Sequence, residues 1–102
     1  MVSRTDQVRA ILHALSDEVR LQIVRMLAAS ADDLPCSALN RGSMPRSTAS
    51  YHFAALRECG LISQYDRGNH RYNHLERERV DELAPGLLDA VLRAVDDPQH
   101  PG

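Results

Sequence analysis

The most chemically pointed stretch of the chain runs from Met44 to Ile62. Arg46, Ser47, Thr48, Ser50 and Tyr51 crowd its first half, followed at once by His52 and Phe53. Read with a helical period, Ala49, Phe53, Leu56 and Cys59 share one face and point to a core. The opposite face, near the N-terminal end, carries Ser47, Ser50 and Tyr51, with Arg46 and Thr48 beside them. Small hydroxyls, a guanidinium and an aromatic ring are groups that bond phosphate oxygens and base edges. Ser and Thr are poor helix formers because their hydroxyls compete for backbone bonds, so their clustering needs a cause. Capping by Ser43, Ser47 or Thr48 accounts for one of them and leaves the others.

A second group of such residues follows. Leu61–Tyr65 and His70–Leu75 are short strand-like runs separated by Asp66, Arg67, Gly68 and Asn69, which is hairpin-turn chemistry. Arg67 and Asn69 at the hairpin tip and Arg71 in the run that follows add further phosphate-binding groups. His70 and His74 share a strand face, but at ~3.3 Å per residue they stand about 13 Å apart, too far to chelate one ion. His52, beside the core-facing Phe53, reads as a structural hydrogen-bonder. Cys36 falls at a helix N-terminus, where a thiol is activated, whereas Cys59 occupies a small apolar position and is expected to be inert. Asp96, Asp97 and His100 make at most a loose metal site in a fraying tail. There is no Gly-rich phosphate loop, no paired carboxylates on one face and no Ser-His-Asp arrangement, so the chain does not read as an enzyme, and no cofactor is expected.

The elements that must position these groups are legible from period and punctuation. A first helix is expected from about Arg4 to Ala14, capped by Ser3, with Val8, Ile11, Leu12 and Leu15 apolar. Ser16 as a cap, with the acids Asp17 and Glu18 in the first turn, opens a second helix that ends near Ala29, and Ser30 to Leu34 form a polar connector. Pro35 starts a short helix to about Leu39. Asn40 to Ser43 turn the chain into the long helix from about Pro45 to Cys59, which stops at Gly60. After the hairpin the helical period returns from Glu76, with Val80, Leu83, Leu87, Leu88, Val91, Leu92 and Val95, and breaks near Ala84 and Pro85.

Composition bounds the reading. One domain over residues 1–95 fits a 102-residue chain, with 96–102 as a flexible tail. No apolar run suits a membrane span or a secretory signal, and two cysteines make no disulfide framework, so a cytoplasmic location is expected. The net charge of −2 hides a partition: residues 41–74 carry five Arg against two acids, and residues 75–102 carry three Arg against seven. A basic middle on an acidic body suits a localised phosphate-contacting surface.

Ser47, Thr48, Ser50, His52, Phe53, Leu56, Arg57, Glu58, Gly60, Leu61 and Ile62 resemble the recognition-helix signature of the ArsR (arsenic-regulator-like) family. Ala14, Leu15, Ser16, Asp17, Arg20, Leu21, Ile23, Val24 and Leu27 resemble its preceding helical signature, and Gly68 with Arg71–Leu75 its wing. The resemblance implies a mainly helical winged helix-turn-helix with a small β-hairpin. It also implies a homodimer that represses by binding double-stranded DNA at a two-fold symmetric operator. Ile11, Leu15, Leu88, Val91, Leu92 and Val95 are expected to supply the dimer contact, as more apolar surface than the core needs.

Many relatives sense metals, yet the family's ligands do not carry over. Pro35 and Ser37 stand at the positions of one site's two cysteines, with Cys36 between them. The other site needs histidines on the last helix, and Glu76 to Val95 contains none. The inducing signal stays open. A metal- or redox-responsive sensor with a non-standard site, and a winged helix used only for protein contact, remain as alternatives.

Overall fold

The computed structural model describes residues 2–96. In chain order they form α1 (Arg4–Leu15), α2 (Glu18–Ala29), β1 (Leu34–Pro35), α3 (Cys36–Asn40), α4 (Arg46–Glu58), β2 (Ile62–Arg67), β3 (His70–Leu75), α5 (Arg77–Leu83) and α6 (Leu87–Asp96). α1 and α2 start at side-chain caps, the first at Ser3 as expected and the second at Asp17 rather than Ser16. Ser3 Oγ accepts from the Asp6 N–H, and the Asp17 carboxylate accepts from Arg20 N–H, which also holds its pKa below the usual value.

The core lies between α1, α2, α4 and the inner face of the hairpin. Ile11, Val24, Leu56, Leu61 and Val80 are fully enclosed, with Ile23, Leu27, Phe53 and Ile62 packed around them. α4 contributes Ala49, His52, Phe53 and Leu56 to it, and Cys59 packs half-buried against it. Gly60 closes α4 with φ +84°, a conformation that L side chains rarely adopt. Arg79 fills the space where a Cβ would project and donates to the Gly60 carbonyl at 3.0 Å.

Three features differ from the sequence reading. Leu34, expected in a polar connector, and Pro35, expected in the first turn of the short helix, pair with Asn73 and Tyr72, so the sheet has three strands in the order β1-β3-β2. A two-residue strand has no period to detect; Asn73, wholly buried, supports it by donating Nδ2 to Leu34 O at 3.1 Å. The short helix starts at Cys36 rather than Pro35, which serves as its N-cap. Asp96, expected to fray, is the last residue of α6, and its carboxylate pairs with Arg25 of α2. The rest of the expected tail, residues 97–102, lies outside the described residues.

The expected dimer set is also corrected in part. Ile11, Leu15 and Leu88 are not spare surface: they are 0%, 7% and 7% exposed within the protomer's own core. Ile11 and Leu15 face inward because α1 packs on α2, α4 and α5, and Leu88 because the break at Ala84–Gly86 folds α6 back against α5. Val91 and Leu92 remain half-buried, and Val95 and Leu12 are exposed.

Candidate nucleic-acid interface

α4 enters its site through a turn fixed by one side chain. Asn40 Oδ1 accepts from Met44 N–H at 3.0 Å and its Nδ2 donates to Met44 O at 3.2 Å, closing a loop in which Arg41 adopts φ +53°. No side chain caps α4, whose N-cap is Pro45. The expectation that capping occupies one of Ser43, Ser47 and Thr48 is therefore corrected: Ser43 Oγ donates to Asn40 O instead, at 2.7 Å. The first intrahelical bond is made by Ala49 N–H to Pro45 O. The amides of Arg46, Ser47 and Thr48 thus precede the ladder and point outward, at the positive end of the helix dipole.

Arg46, Ser47, Thr48, Ser50 and Tyr51 are all exposed, Tyr51 at 65%. Ser47 and Tyr51 lie most nearly opposite the buried face. Arg46 and Ser50 run down the flank that faces the hairpin, and Arg57 continues it. Along that flank lies a groove of about 630 Å³, lined on the hairpin side by Gln64 and Arg71. Arg57, for which the sequence reading assigned no contact, donates Nη1 to Gln64 Oε1 at 2.7 Å and brings a third guanidinium to the groove. It stood in the recognition-helix signature and in the basic count of residues 41–74, but neither says that it meets Gln64.

The hairpin pairs Arg67 with His70, leaving Gly68 and Asn69 as a two-residue turn with φ +61° at Gly68. Arg67, Asn69 and Arg71 are exposed on it. The Arg67 guanidinium lies 6.0 Å from the Tyr72 ring centre, and Tyr72 stacks across the strands on Tyr65 at 5.8 Å. Arg71 Nε is held by Asp66 at 3.0 Å, and its terminal nitrogens have no partner among the described residues.

Asp33, in the connector before β1, ties down both strands of the wing. It accepts from Tyr65 Oη at 2.7 Å and lies 2.8 Å from His74 Nδ1. The Tyr65 bond and then the histidine hold the Asp33 carboxyl below its usual range, while the carboxylate pushes His74 up. Cys36 sits at the back of the groove, where its sulfur accepts from Asn73 Nδ2 at 3.3 Å. Cys59 donates to Leu56 O, and burial pushes its thiol above the ordinary range. His70 and His74 lie at opposite ends of β3. Among the described residues no three His, Cys, Asp or Glu side chains gather as metal ligands; Asp97 and His100 lie outside them.

A short helix, a fixed turn, a long helix with an open polar N-terminal face, and a hairpin carrying arginines define a winged helix-turn-helix. Residues 15–65 match the family model described as "Helix-turn-helix domain". An HTH-type transcriptional regulator of Bacillus subtilis, YceK, is 38% identical over 93 residues, covering 89% of this chain and 93% of its own. Among solved structures, HlyU from Vibrio cholerae superposes with a TM-score of 0.72 at 26% identity, covering 91% of this chain and 96% of its own. The homodimeric winged helix-turn-helix domain of Mb0332 from Mycobacterium bovis, a possible ArsR-family regulator, superposes at 0.69 with 26% identity, covering 96% and 90%. The chain belongs to the ArsR-type winged helix-turn-helix family of DNA-binding transcriptional regulators.

Proposed function

We propose that this regulator is a cytoplasmic repressor that binds a two-fold symmetric operator as a homodimer. Residues 1–95 form the DNA-binding and dimerisation unit, and it acts by binding rather than catalysis. The observation that carries the reading is the uncapped, exposed first turn of α4 with Arg46, Ser47, Thr48, Ser50 and Tyr51. These side chains read the major groove, while Arg67, Asn69 and Arg71 of the wing and Arg57 beside the groove meet the backbone. The dimer contact uses Val91, Leu92 and Val95 of α6 with Leu12 of α1, the apolar surface that the protomer leaves uncovered. The homodimeric relative Mb0332 supports that assembly.

Light scattering combined with fragment selection from genomic DNA tests the proposal. The expected result is a dimer at micromolar concentration that retains one or a few fragments containing inverted repeats. A monomer, or retention of all fragments equally, overturns it.

A further inference from the structure

Arg20 and His52 are buried, at 5% and 8% exposure, and neither takes part in the surface described above. Arg20 belongs to α2, yet its side chain joins three helices. Nε donates to Ala14 O in the last turn of α1 at 3.0 Å, and Nη1 meets Nδ1 of His52 on α4 at 3.3 Å. A guanidinium has no acceptor, so Nδ1 must accept and the ring proton belongs on Nε2. Asp17 Oδ2 stands 3.7 Å from the same nitrogen, beyond a hydrogen bond. If Nδ1 gained a proton, Asp17 would become its partner and Arg20 would face a like charge.

Nδ1 of the ring therefore holds Arg20 only as an acceptor, with Asp17 standing near the same nitrogen. The ring edge packs against Tyr51 with ring centres 5.4 Å apart. His13 of α1 and Glu58 and Cys59 at the end of α4 line the crevice that Arg20 and Tyr51 also line, and with Asp17 make up the titratable and charged surroundings.

We propose that Arg20 and His52 are positioning residues for DNA recognition. They fix the first half of α4, Tyr51 above all, against the end of α1, and they do so only while His52 is the neutral Nε2–H tautomer. The inference rests on the DNA-binding reading and adds to it an internal link from the α1 end to the recognition helix.

The test uses the full chain and a DNA fragment selected on the wild type. His52→Asn keeps an acceptor near the Nδ1 position, whereas His52→Leu removes it. We expect His52→Leu to bind the fragment about tenfold more weakly, as one lost charge-assisted bond implies, with fold and dimer unchanged. His52→Asn should restore binding to near the wild-type level. Imidazole ¹⁵N spectra of the wild type should show the proton on Nε2 at neutral pH. Wild-type affinity should fall as those spectra report His52 gaining its second proton, and His52→Asn should lack that component. A wild type that retains no fragment defeats the DNA-binding reading itself. With wild-type binding intact, a proton on Nδ1, equal losses in the two variants, or an affinity flat through the His52 titration overturns the positioning role. If His52→Leu fails to fold, the comparison of wild type with His52→Asn across pH decides.

Discussion

The α4–hairpin face and the α1–α6 face are built on opposite terms. On the first, the exposed side chains include cations, hydroxyls and an aromatic ring; Arg57, Arg67 and Arg71 lean on Gln64, Tyr72 and Asp66, while Arg46, Ser47, Thr48 and Ser50 have no side-chain partner among the described residues. On the second, the apolar positions of both helices are largely used up by the core, and what stays exposed is a thin strip that includes Leu12 and Val95. Charge follows the same division. Residues 41–74 carry a net +3, from five Arg and two acids, and residues 75–102 a net −4, from three Arg and seven acids. The basic stretch that forms α4 and the hairpin suits a polyanion better than the acidic C-terminal stretch does. The first face is available to a ligand because it is polar and internally unsatisfied; the second is available to a like surface only where the core stops.

The largest effect should come from carrying charge into the second face at two depths. Leu88→Asp places an unpaired carboxylate in the protomer's core, where the cost is about 3–5 kcal/mol and most of a small domain's stability. Chemical denaturation should find it largely unfolded. Val95→Asp, at a site 36% exposed, should leave the fold intact and raise the dimer dissociation constant. Loss of dimer without loss of fold in Leu88→Asp would show that the core assignment of α6 is wrong. An unchanged dimer in Val95→Asp would move the contact elsewhere.

That correction shows what was legible in the sequence. The order of the helices, the α4 face, the hairpin and the Ser3 cap were readable because each depends on neighbours a few positions apart; the caps of α2 and α4 were not, since Asp17 and Pro45 stand where serines or a threonine were expected. Which side of an apolar helix meets its own core was not, since Leu88 and Val95 look alike to a periodicity argument and differ only in how α6 folds back. The same limit hid Asp33 with Tyr65 and His74, Arg57 with Gln64, and Arg20 with His52. Each pairs residues far apart in the chain, and nothing in local composition says they meet. β1 was missed for the reverse reason: two residues are too few to show any pattern.

The next effects sharpen the α4–hairpin face. Arg46→Ala and Tyr51→Ala should each cost ~1–3 kcal/mol of binding to a selected operator while leaving non-specific binding nearly unchanged. Arg67→Ala should instead weaken binding to all sequences alike and reduce the salt slope by about one. Fluorescence anisotropy at several salt concentrations separates the two behaviours. If Arg67→Ala changes preference among sequences and Arg46→Ala changes only the salt slope, the roles of helix and wing must be exchanged.

The smallest effect concerns how the wing is held. Asp33 raises His74 above its ordinary value of 6.5, and is itself held below 3.8 by Tyr65 and His74. A raised histidine stabilises the fold fully below the unfolded value and loses that contribution as pH rises through the folded one. A lowered carboxylate contributes above its unfolded value and loses it as pH falls through the folded one. Both are present together between 3.8 and 6.5, so the clamp is strongest in mild acid and weakens as pH rises beyond 6.5. His74 and Asp33 side chains are 51% and 31% exposed, so solvent screens the pair. Exposed pairs of this kind contribute about 0.2–1 kcal/mol. His74→Gln removes the titrating charge but keeps a polar side chain. The gap in urea midpoint between it and the wild type should be larger near pH 5.5 than near pH 8.5, in line with the linkage sign. An equal gap at both would mean that His74 holds the wing through packing or a neutral hydrogen bond, and that its charge contributes nothing.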